Sequence, residues 1–494
     1  MSLTQQDSKY TPKLYCSLTL ALTAVFTTGF HLNWLNQLHT FVKCFFLVNL
    51  DKNKHLEYDD YCDNDYLADL IDEDDDLFTD VISQWSLASS LNFGMCAVGG
   101  LLFGYVIDQF GRKRTFQIGI LIDLVGISLT IATYWTESFL MFTVGRALSG
   151  LAIGAYTLAA PLYFQEIAVT KDKQLFSTFF GWGFNFGTLF AQILGIEKIL
   201  GRTKRWIAMP FVALGLIILM GVLSIFSEET PDWAISKGDN RRASRIVQRL
   251  HSITEFDDGD TLKTAAASEK KSYLQSLKDV LANKEVMKIT AMLCFAIVGF
   301  HNFNGMPVIL IFSTTIFSNS GFSNETAGYL TIATGVIAII GSMTLSVIVD
   351  KFSKVKICVL AMLLVTVYDI LMTIFGQFDD IQALNYASVV IVYLIIFTIQ
   401  STTFSISLMF PVLMIRPEFR SAATSMIVCL AWFSGFIATF IFPYVEDAMG
   451  SYCFLIYGVC AFIWAVWGWF RLVDPDGKDF DEIEGIVRER RSYI

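Results

Sequence analysis

Charged residues recur in this chain in two copies of one pattern, which read GYVIDQFGRKR at 104–114 and SVIVDKFSKVK at 346–356. In each copy an acid, Asp108 or Asp350, precedes a cluster of bases that includes Arg112 or Lys354. Acids and bases at the end of an apolar stretch suit charge pairing at a membrane surface. Because the copies lie about half a chain apart, they predict two equivalent halves, which is how membrane transporters build alternating access.

Two histidines and two aspartates lie inside apolar stretches, where a charge is costly and suggests a functional role. His31 and His301 occupy equivalent stretches of the two halves, as do Asp123 and Asp369. Histidine titrates near neutral pH, so one of these residues could serve a proton-coupled carrier. The alternative, which we favour for both aspartates, is that they form hydrogen bonds at helix interfaces away from any cavity.

Other reactive chemistry is not indicated by the sequence. It contains no nucleotide-binding loop, nucleophile elbow or Cys/His cluster with ligand spacing, so we expect no enzyme activity, cofactor, metal site or nucleic-acid partner. Of the 9 cysteines, Cys44 and Cys62 share one polar loop and could form a disulfide in an oxidising compartment. Asn324, followed by Glu and Thr, begins a glycosylation sequon.

The elements that must position these residues are long apolar stretches. Apolar residues make up 54% of the chain and charged residues 17%, with a mean hydropathy of +0.52. About twelve stretches reach roughly 20 residues, the length that crosses a ~30 Å bilayer core. They lie at 14–36, 86–107, 115–134, 140–160, 175–196, 206–227, 287–311, 326–349, 355–376, 384–410, 421–443 and 452–472. We predict an all-α membrane protein with twelve transmembrane helices in two pseudo-symmetric six-helix bundles.

Polar segments divide the chain into four parts. The two bundles are predicted at 1–227 and 286–473, with a helical linker at 228–285 between them and a tail at 474–494. Lys and Arg concentrate at the helix ends that share a side with the linker and the tail, which predicts that these ends and both termini are cytosolic. We expect an integral multi-pass protein of the plasma membrane whose partners are the bilayer and a small-molecule solute.

One predicted extracellular loop carries the whole net charge of −10. Residues 40–82 hold 13 acidic and 3 basic residues, which leaves 33 of each in the rest of the chain. We interpret this loop as a solvated segment whose charges repel one another. Two alternatives are that its run IDEDDD at 71–76 concentrates cations near a pore mouth, or binds Ca²⁺ weakly without an EF-hand.

The chain resembles the sugar-porter branch of the major facilitator superfamily, the facilitative hexose carriers, over nearly its whole length. The repeated charged pattern is shared with the superfamily at large. More specific are the segment from Gly145-Arg146 to PLYFQE at 161–166, SEETPDW at 227–233, and the tail LVDPDGKDFDEIEGIV at 472–487. Three signatures in the family's order identify the chain as a divergent member.

The resemblance implies a set of charge pairs that tie the two halves together on the cytosolic side while the outside is open. We expect Arg112 and Arg146 near cytosolic helix ends, with Glu166 and Glu229 as their acceptors. The second half departs from the family, since Ser353 stands where the motif has Gly. The alternative to a gating role is that these charged residues merely hold loops in place. The gating set implied by the resemblance is Asp108, Arg112, Arg146, Glu166, Glu229, Asp350, Lys354 and Arg420.

The resemblance also implies a central binding site, and here the chain departs most from the family. Several family amides are replaced, for example by Gly181, Ala338 and Ala431, so affinity for hexoses in the usual pose should fall. A Ser/Thr cluster at 401–407 either bonds its own helix carbonyls or forms a replacement wall, and 384–410 lacks the family's Gly and Pro hinge. The substrate-binding residues implied by position are Asn36, Gln192, His301, Asn302, Gln400 and Trp432.

We expect a carrier that moves a small polar solute, a hexose or related polyol, by alternating access. Proton-coupled members of the family carry an acid in helix one, and this helix has none, so a uniporter is preferred. The alternatives are a proton-coupled carrier of a different small organic solute and a transport-inactive sensor or interaction protein that retains the fold.

Overall fold

The computed structural model of the chain describes residues 10–38, 42, 75–169, 173–196, 198–201, 205–251, 273–349, 351–378 and 381–489. Within these ranges every secondary-structure element is helical and no strand is present. The chain therefore builds its core by packing helices on one another.

The helices fall into two sets that are separated by three short helices. The first set is α1 (Pro12–Asn33), α2 (Asp75–Phe110), α3 (Arg112–Thr136), α4 (Phe139–Ile167), α5 (Lys173–Leu194) and α6 (Ala208–Phe226). The short helices are α7 (Pro231–Ser236), α8 (Asn240–His251) and α9 (Tyr273–Ala282). The second set is α10 (Lys284–Ile297), α11 (Met306–Asn319), α12 (Asn324–Ile348), α13 (Lys354–Phe375), α14 (Gln382–Gln400), α15 (Thr403–Met414), α16 (Pro417–Met449) and α17 (Cys453–Arg471), and α18 (Phe480–Glu489) follows.

Two membrane spans of the second half are built from two helices each. The pair α10 and α11 lies in one apolar stretch, Lys284–Asn319, and the pair α14 and α15 in another, Gln382–Met414. Each half therefore crosses the membrane six times, and the predicted twelve-helix fold is confirmed. The halves meet where α2 packs on α16 and α5 packs on α12.

The short helices mark one side of the bundle, which we call the linker side. The hydroxyl of Thr11, which caps the start of α1, donates to the carbonyls of Arg249 and Leu250 at 2.7 and 2.9 Å. His251, at the end of α8, lies 3.0 Å from the carbonyl of Ile167 at the end of α4. The opposite side, where α3 turns into α4, is called the far side.

The break between α10 and α11 follows from the local sequence. Gly305 has φ +82°, a backbone conformation that glycine adopts readily because it has no Cβ. Pro307, in the first turn of α11, has no backbone N–H to donate. The side chain of Asn304 takes over some of the freed backbone groups, since it donates to Phe300 O at 2.9 Å and accepts from Met306 N at 3.0 Å. The segment 298–302 is a π-helix that ends α10 and carries His301.

The break between α14 and α15 differs from the expectation of an unhinged helix. Neither Gly nor Pro is present at the break, yet α14 ends at Gln400 and α15 begins at Thr403. The hydroxyls of Ser401 and Thr402 donate to the carbonyl of Thr398, so side chains compete with the helix's own backbone bonds. The interpretation that this Ser/Thr cluster bonds its own helix therefore holds for these two residues.

We predict that Gly299→Ala destabilises the protein, because a Cβ there would lie 2.0 Å from the ring of Trp464. Overpacking of this kind costs about 1–3 kcal/mol, which should lower the melting temperature of the purified protein. The matched control is Gly215→Ala, whose Cβ would have no atom within 4 Å and which should melt at or above the wild-type temperature. Equal melting temperatures for the two variants would contradict the packing described here.

Candidate functional site

A cavity of about 320 Å³ lies between the two halves and reaches the linker side. Its inner wall is largely aromatic and is formed by Phe180 and Phe184 of α5, Phe404 of α15 and Trp432 of α16. Towards the linker side the lining residues become charged: Arg112, Glu166, Asp232 and Arg420. A solute entering from the linker side would therefore pass charged groups before it reaches an aromatic chamber.

His301 is the principal polar side chain of the inner wall. Its ring stacks on Phe404 with a centroid separation of 4.6 Å and an interplanar angle of 19°. Its Nδ1 has no hydrogen-bond partner among the described residues, and neither does the hydroxyl of Thr424 on α16. Thr157, also in the wall, already donates to the carbonyl of Ile153 at 3.0 Å. The lining also contains Gln165 of α4, so hydrogen-bonding side chains of the cavity come from both halves.

Amide side chains close the far side by joining the two halves; we call this group (Asn36, Gln37, Asn185 and Gln192) the far-side clasp. Asn36 donates to the carbonyl of Leu310 and the hydroxyl of Ser313, both at 2.8 Å, and accepts from the backbone of α11. Gln37 donates to Gly328 O at 3.3 Å, and Gln192 to the hydroxyl of Thr334 at 3.2 Å. Asn185 donates to Ala338 O at 3.3 Å and to the side chain of Gln400 at 3.4 Å. The structure is therefore closed on the far side.

The six predicted substrate-binding residues lie in three different places. His301 and Trp432 line the cavity, whereas Asn36, Gln192 and Gln400 make or receive bonds of the far-side clasp. Asn302 joins the break of the seventh span to α16, since it donates to Ala431 O at 2.6 Å and to the Ser434 hydroxyl at 2.8 Å. Their role in binding stays a prediction.

Sequence reasoning missed Asn185 and Thr424. Asn185 is the one amide of the helix-five stretch near the level of Gln400, and its position in an otherwise aromatic run was the available signal. No sequence signal marks Thr424, because a Thr in an apolar helix is common and usually donates its hydroxyl to a carbonyl of its own helix.

Arg112 and Glu166 pair at the linker-side rim of the cavity. The guanidinium Nη2 lies 2.6 Å from Glu166 Oε1, and both side chains are mostly buried. The partners belong to α3 and α4 of the same half. In this conformation, with the linker side open, the pair holds one half together rather than bridging both.

Glu229 caps the start of α3. Its carboxylate accepts from the backbone N–H of Arg112 at 2.9 Å and of Lys113 at 3.2 Å, where the helix dipole favours an anion. Burial raises the pKa of the Glu229 carboxyl, and these backbone bonds oppose the shift. Gly111 is required here, because it has φ +94° and a Cβ would lie 2.3 Å from Glu229.

The second half repeats this cap with different residues. Asp476 accepts from the backbone N–H of Lys354 at 3.2 Å and pairs with its ammonium, at the start of α13. Ser353, in place of the motif's Gly, donates its hydroxyl to Asp474. Each half therefore anchors its third span with a carboxylate from the segment after its last span.

A further set of charge pairs joins the tail to the start of α16. Arg416 binds Glu484 of α18, with Nε 2.7 Å from Oε1, and it also binds Asp481. The hydrogen bonds of these carboxylates raise the pKa of the Arg416 guanidinium. Arg420, a predicted gating residue, lines the cavity and donates to the carbonyl of Ile415 at 3.3 Å.

Arg146 lies elsewhere than expected. It is close to the start of α4, on the far-side half, twenty residues and about 30 Å of helix from Glu166. Its guanidinium donates to the carbonyls of His31 at 2.9 Å and Ala88 at 3.3 Å and lies 5.7 Å from the ring centroid of Trp34. The expected carboxylate partner at the cytosolic end is thus replaced by backbone carbonyls of α1 and α2.

Tyr273, in α9, lies between the halves on the linker side. Its hydroxyl is 2.6 Å from the Ser425 hydroxyl of α16, and its ring rests where a Cβ on Gly104 of α2 would lie. Asp108 is close to this tyrosine, and its carbonyl accepts from the indole of Trp233 at 3.1 Å. The first copy of the repeated pattern therefore contacts two of the three short helices, α7 and α9.

Three predicted residues lie outside the described residues: Asp350, Cys44 and Cys62. The acidic segment 71–74 and most of 40–82 do so too. Asn324 is exposed at the far-side start of α12, where its side chain accepts from the Ser318 hydroxyl at 2.8 Å. Its glycosylation stays a prediction.

Two six-helix halves around a central cavity define a membrane carrier of the major facilitator class. Comparison with known proteins is more specific. The family model described as "Sugar (and other) transporter" matches residues 16–486, so the chain belongs to that family. It is a carrier rather than an enzyme.

The relatives agree with this assignment. The chain is 24% identical over 488 residues to facilitated glucose transporter member 3 of solute carrier family 2 from Mus musculus, covering 96% of this chain and 93% of the relative. It is 25% identical over 417 residues to member 2 from Sus scrofa, covering 82% and 77%. The fold matches the xylose transporter XylE from E. coli in a partially occluded inward-open conformation, with a TM-score of 0.73, 17% identity, and 95% and 100% of the two chains covered.

We predict that Arg112→Ala lowers solute turnover at least about tenfold, because it leaves the carboxylate of Glu166 at the rim without its partner, a loss of about 1–3 kcal/mol. Uptake normalised to surface expression would measure the effect. Lys351→Ala, an exposed base in the second copy of the pattern, is the control and should transport like the wild type. Wild-type turnover in Arg112→Ala would remove the pair from the transport cycle.

Proposed function

We propose that the protein is a uniporter that moves a small polar solute, a hexose or a related polyol, down its gradient by alternating access. The proposal rests on the positions of the far-side clasp and the cavity. Amide side chains that join the two halves close the far side, while the cavity reaches the linker side. Hydrogen bonds between rigid halves can be broken on one side while new contacts form on the other, which is the physical requirement of alternating access.

We further propose that the linker side is cytosolic and that the carrier acts at the plasma membrane. The linker-side ends hold the basic cluster at 112–114, Lys354, Arg416 and Arg420. Retention of Lys and Arg in the cytosol supports this orientation. The similarity to an inward-open xylose transporter agrees with a cavity that opens to the cytosol.

The composition of the chamber bears on the solute. An unpaired buried hydroxyl costs about 1–3 kcal/mol, and the cavity lining offers a small number of hydrogen-bonding side chains, among them His301, Thr424 and Gln165. Aromatic rings such as Phe404 and Trp432 suit the apolar face of a ring-shaped solute. Sugars with fewer hydroxyls should therefore compete better than a fully hydroxylated hexose.

The test is uptake of a labelled panel into a transport-null cell: D-glucose, D-fructose, D-xylose, myo-inositol, 2-deoxy-D-glucose and 6-deoxy-D-glucose. Saturable uptake of at least one member, with exchange against the same unlabelled solute, supports the proposal. A protein that reaches the surface and transports none of the panel would instead favour the alternative of a transport-inactive member.

We predict that His301→Gln and Trp432→Ala change the ranking of panel solutes, because each removes a lining group of the chamber. His301→Gln restores an amide and should raise the affinity for D-glucose relative to its deoxy forms several-fold, the value of about one hydrogen bond. Competition for uptake would measure both rankings. Trp469→Ala, which removes an indole that is 60% exposed on the outer surface, is the control and should leave the ranking unchanged. Identical rankings in all four proteins would exclude the chamber as the binding site.

A further inference from the structure

Arg420 is a base in the wall of the cavity that makes no ion pair with any described carboxylate. It lies on α16 at the linker-side mouth. Its Nε and Nη2 both donate to one acceptor, the carbonyl of Ile415, at 3.4 and 3.3 Å. Its third nitrogen, Nη1, has no hydrogen-bond partner among the described residues. The guanidinium therefore presents a charge beside the cavity that no neighbouring carboxylate neutralises.

The acids of the second half do not reach this guanidinium. The segment 403–415, which contains α15 and leads to Arg420, holds no Asp or Glu. Glu418, two residues before Arg420, is exposed at the start of α16. The tail acids Asp481 and Glu484 bind Arg416 instead. In this conformation a carboxylate partner for Arg420 has to come from a solute.

The other charged residues of the mouth lie on the first-half side. Arg112 pairs with Glu166, and Asp232 of α7 is close enough to Glu166 to act on its carboxylate electrostatically. Two bases and two acids line the mouth, so their charges sum to zero and give no long-range attraction for either sign. Any preference for an anion must therefore arise from direct contact with Arg420.

Cavity-lining residues follow Arg420 along one face of α16. Thr424, Val428 and Trp432 recur every four residues, the spacing that places side chains on the same helix face. At a rise of 1.5 Å per residue, Thr424 lies about 6 Å deeper in the cavity than Arg420. Its hydroxyl has no hydrogen-bond partner among the described residues. A guanidinium and an unpaired hydroxyl thus lie one helical turn apart in the same wall.

These groups suit a sugar that carries a carboxylate. The planar guanidinium of Arg420 matches a carboxylate with two parallel hydrogen bonds, which are stronger than those between neutral groups. The hydroxyl of Thr424 and the amide of Gln165, which lines the cavity from α4, can each bind a sugar hydroxyl. A hexuronate combines one carboxylate with several hydroxyls on a single ring, and so it can occupy all three.

We propose that Arg420 and Thr424 form a subsite at the linker-side mouth that binds the carboxylate and an adjacent hydroxyl of an acidic sugar. The proposal names a solute class, the hexuronates, and in that respect it rests on the proposed transport function. Binding at the subsite can be measured without transport. Arg420 would still be able to contact the first half when the mouth closes, so the test has to separate recognition from gating.

The first experiment compares D-glucuronate with D-glucuronamide, which differ in the charge of one group. A bound solute raises the melting temperature of the purified protein according to its concentration and affinity. We expect D-glucuronate to produce the same shift as D-glucuronamide at a concentration at least about tenfold lower, because its hydrogen bonds to the guanidinium are charge-assisted. Sodium acetate, a carboxylate without a sugar, should produce no comparable shift.

Four variants locate the preference. Arg420→Gln should abolish it, and Arg420→Lys should keep part of it, since an ammonium retains the charge but not the fork. Thr424→Val should weaken both sugars alike by several-fold, about the value of one hydrogen bond. The matched control is Arg114→Gln, which removes an exposed arginine at the linker-side start of α3 and should keep the wild-type preference.

The second experiment measures inhibition of uptake of a transported panel solute by the same two sugar derivatives. The expected result is a lower inhibition constant for D-glucuronate than for D-glucuronamide in the wild type and in Arg114→Gln, and equal constants in Arg420→Gln. The ratio of the two constants reports recognition, whereas a change in turnover alone reports gating. If Arg420→Gln lowers turnover but keeps the wild-type ratio, Arg420 acts in gating alone and the subsite is overturned.

The remaining outcomes separate this subsite from the transport function. Equal shifts of the wild type by the two sugar derivatives, or a shift by acetate as large as that by D-glucuronate, would overturn the subsite while uptake of a neutral sugar still supported transport. If no panel solute is taken up but the melting temperatures show a preference that depends on Arg420, the transport proposal fails and the subsite stands. The comparison on the wild type requires no variant to fold.

Discussion

Within a bilayer, each polar group of this chain has to find its partner inside the protein, because the surrounding lipid offers none. That constraint explains where its polar side chains lie. Asn33, Asn185, Gln192 and Asn302 all join one helix to another, and none of them faces lipid. The same requirement decides the two broken spans, since a helix can break at this depth where side chains such as Asn304 or Ser401 take over the freed backbone groups.

This use of amides has a consequence for specificity. An amide that bridges two halves is unavailable to a solute in the same conformation, so the chamber open to the linker side keeps aromatic walls and a few polar side chains such as His301 and Gln165. In the opposite conformation the clasp must open, and its amides would then face the entering solute. The far side can therefore present a more polar surface to the solute than the linker side does, and binding of a hydroxylated solute on the far side competes directly with closure.

Sequence reasoning succeeded where structure is decided locally and was wrong where it depends on position across the bundle. The twelve spans follow from hydropathy, and the break of the seventh follows from Gly305 and Pro307. The break after Gln400 has no Gly or Pro to signal it; there the hydroxyls of Ser401 and Thr402 bond the carbonyl of Thr398. Arg146 was assigned to the wrong end because a signature of about twenty residues was treated as one helix end, although it spans most of α4. The contact of His31 with Asp123 joins residues 92 positions apart and could not be read from either local pattern.

The two halves share the same arrangement of helices but differ in the partners of their buried ionisable side chains. Both cap the third span of the half with a carboxylate from a later segment, Glu229 in one and Asp476 in the other. Inside the bundle the symmetry ends: Asp123 has an imidazole and a phenol beside it, whereas Oδ2 of Asp369 has no hydrogen-bond partner among the described residues. The first half therefore links α3 to α4 through the hydrogen bond between Tyr156 and Asp123, whereas one carboxylate oxygen of the equivalent Asp369 stays unbonded among the residues that the structure describes.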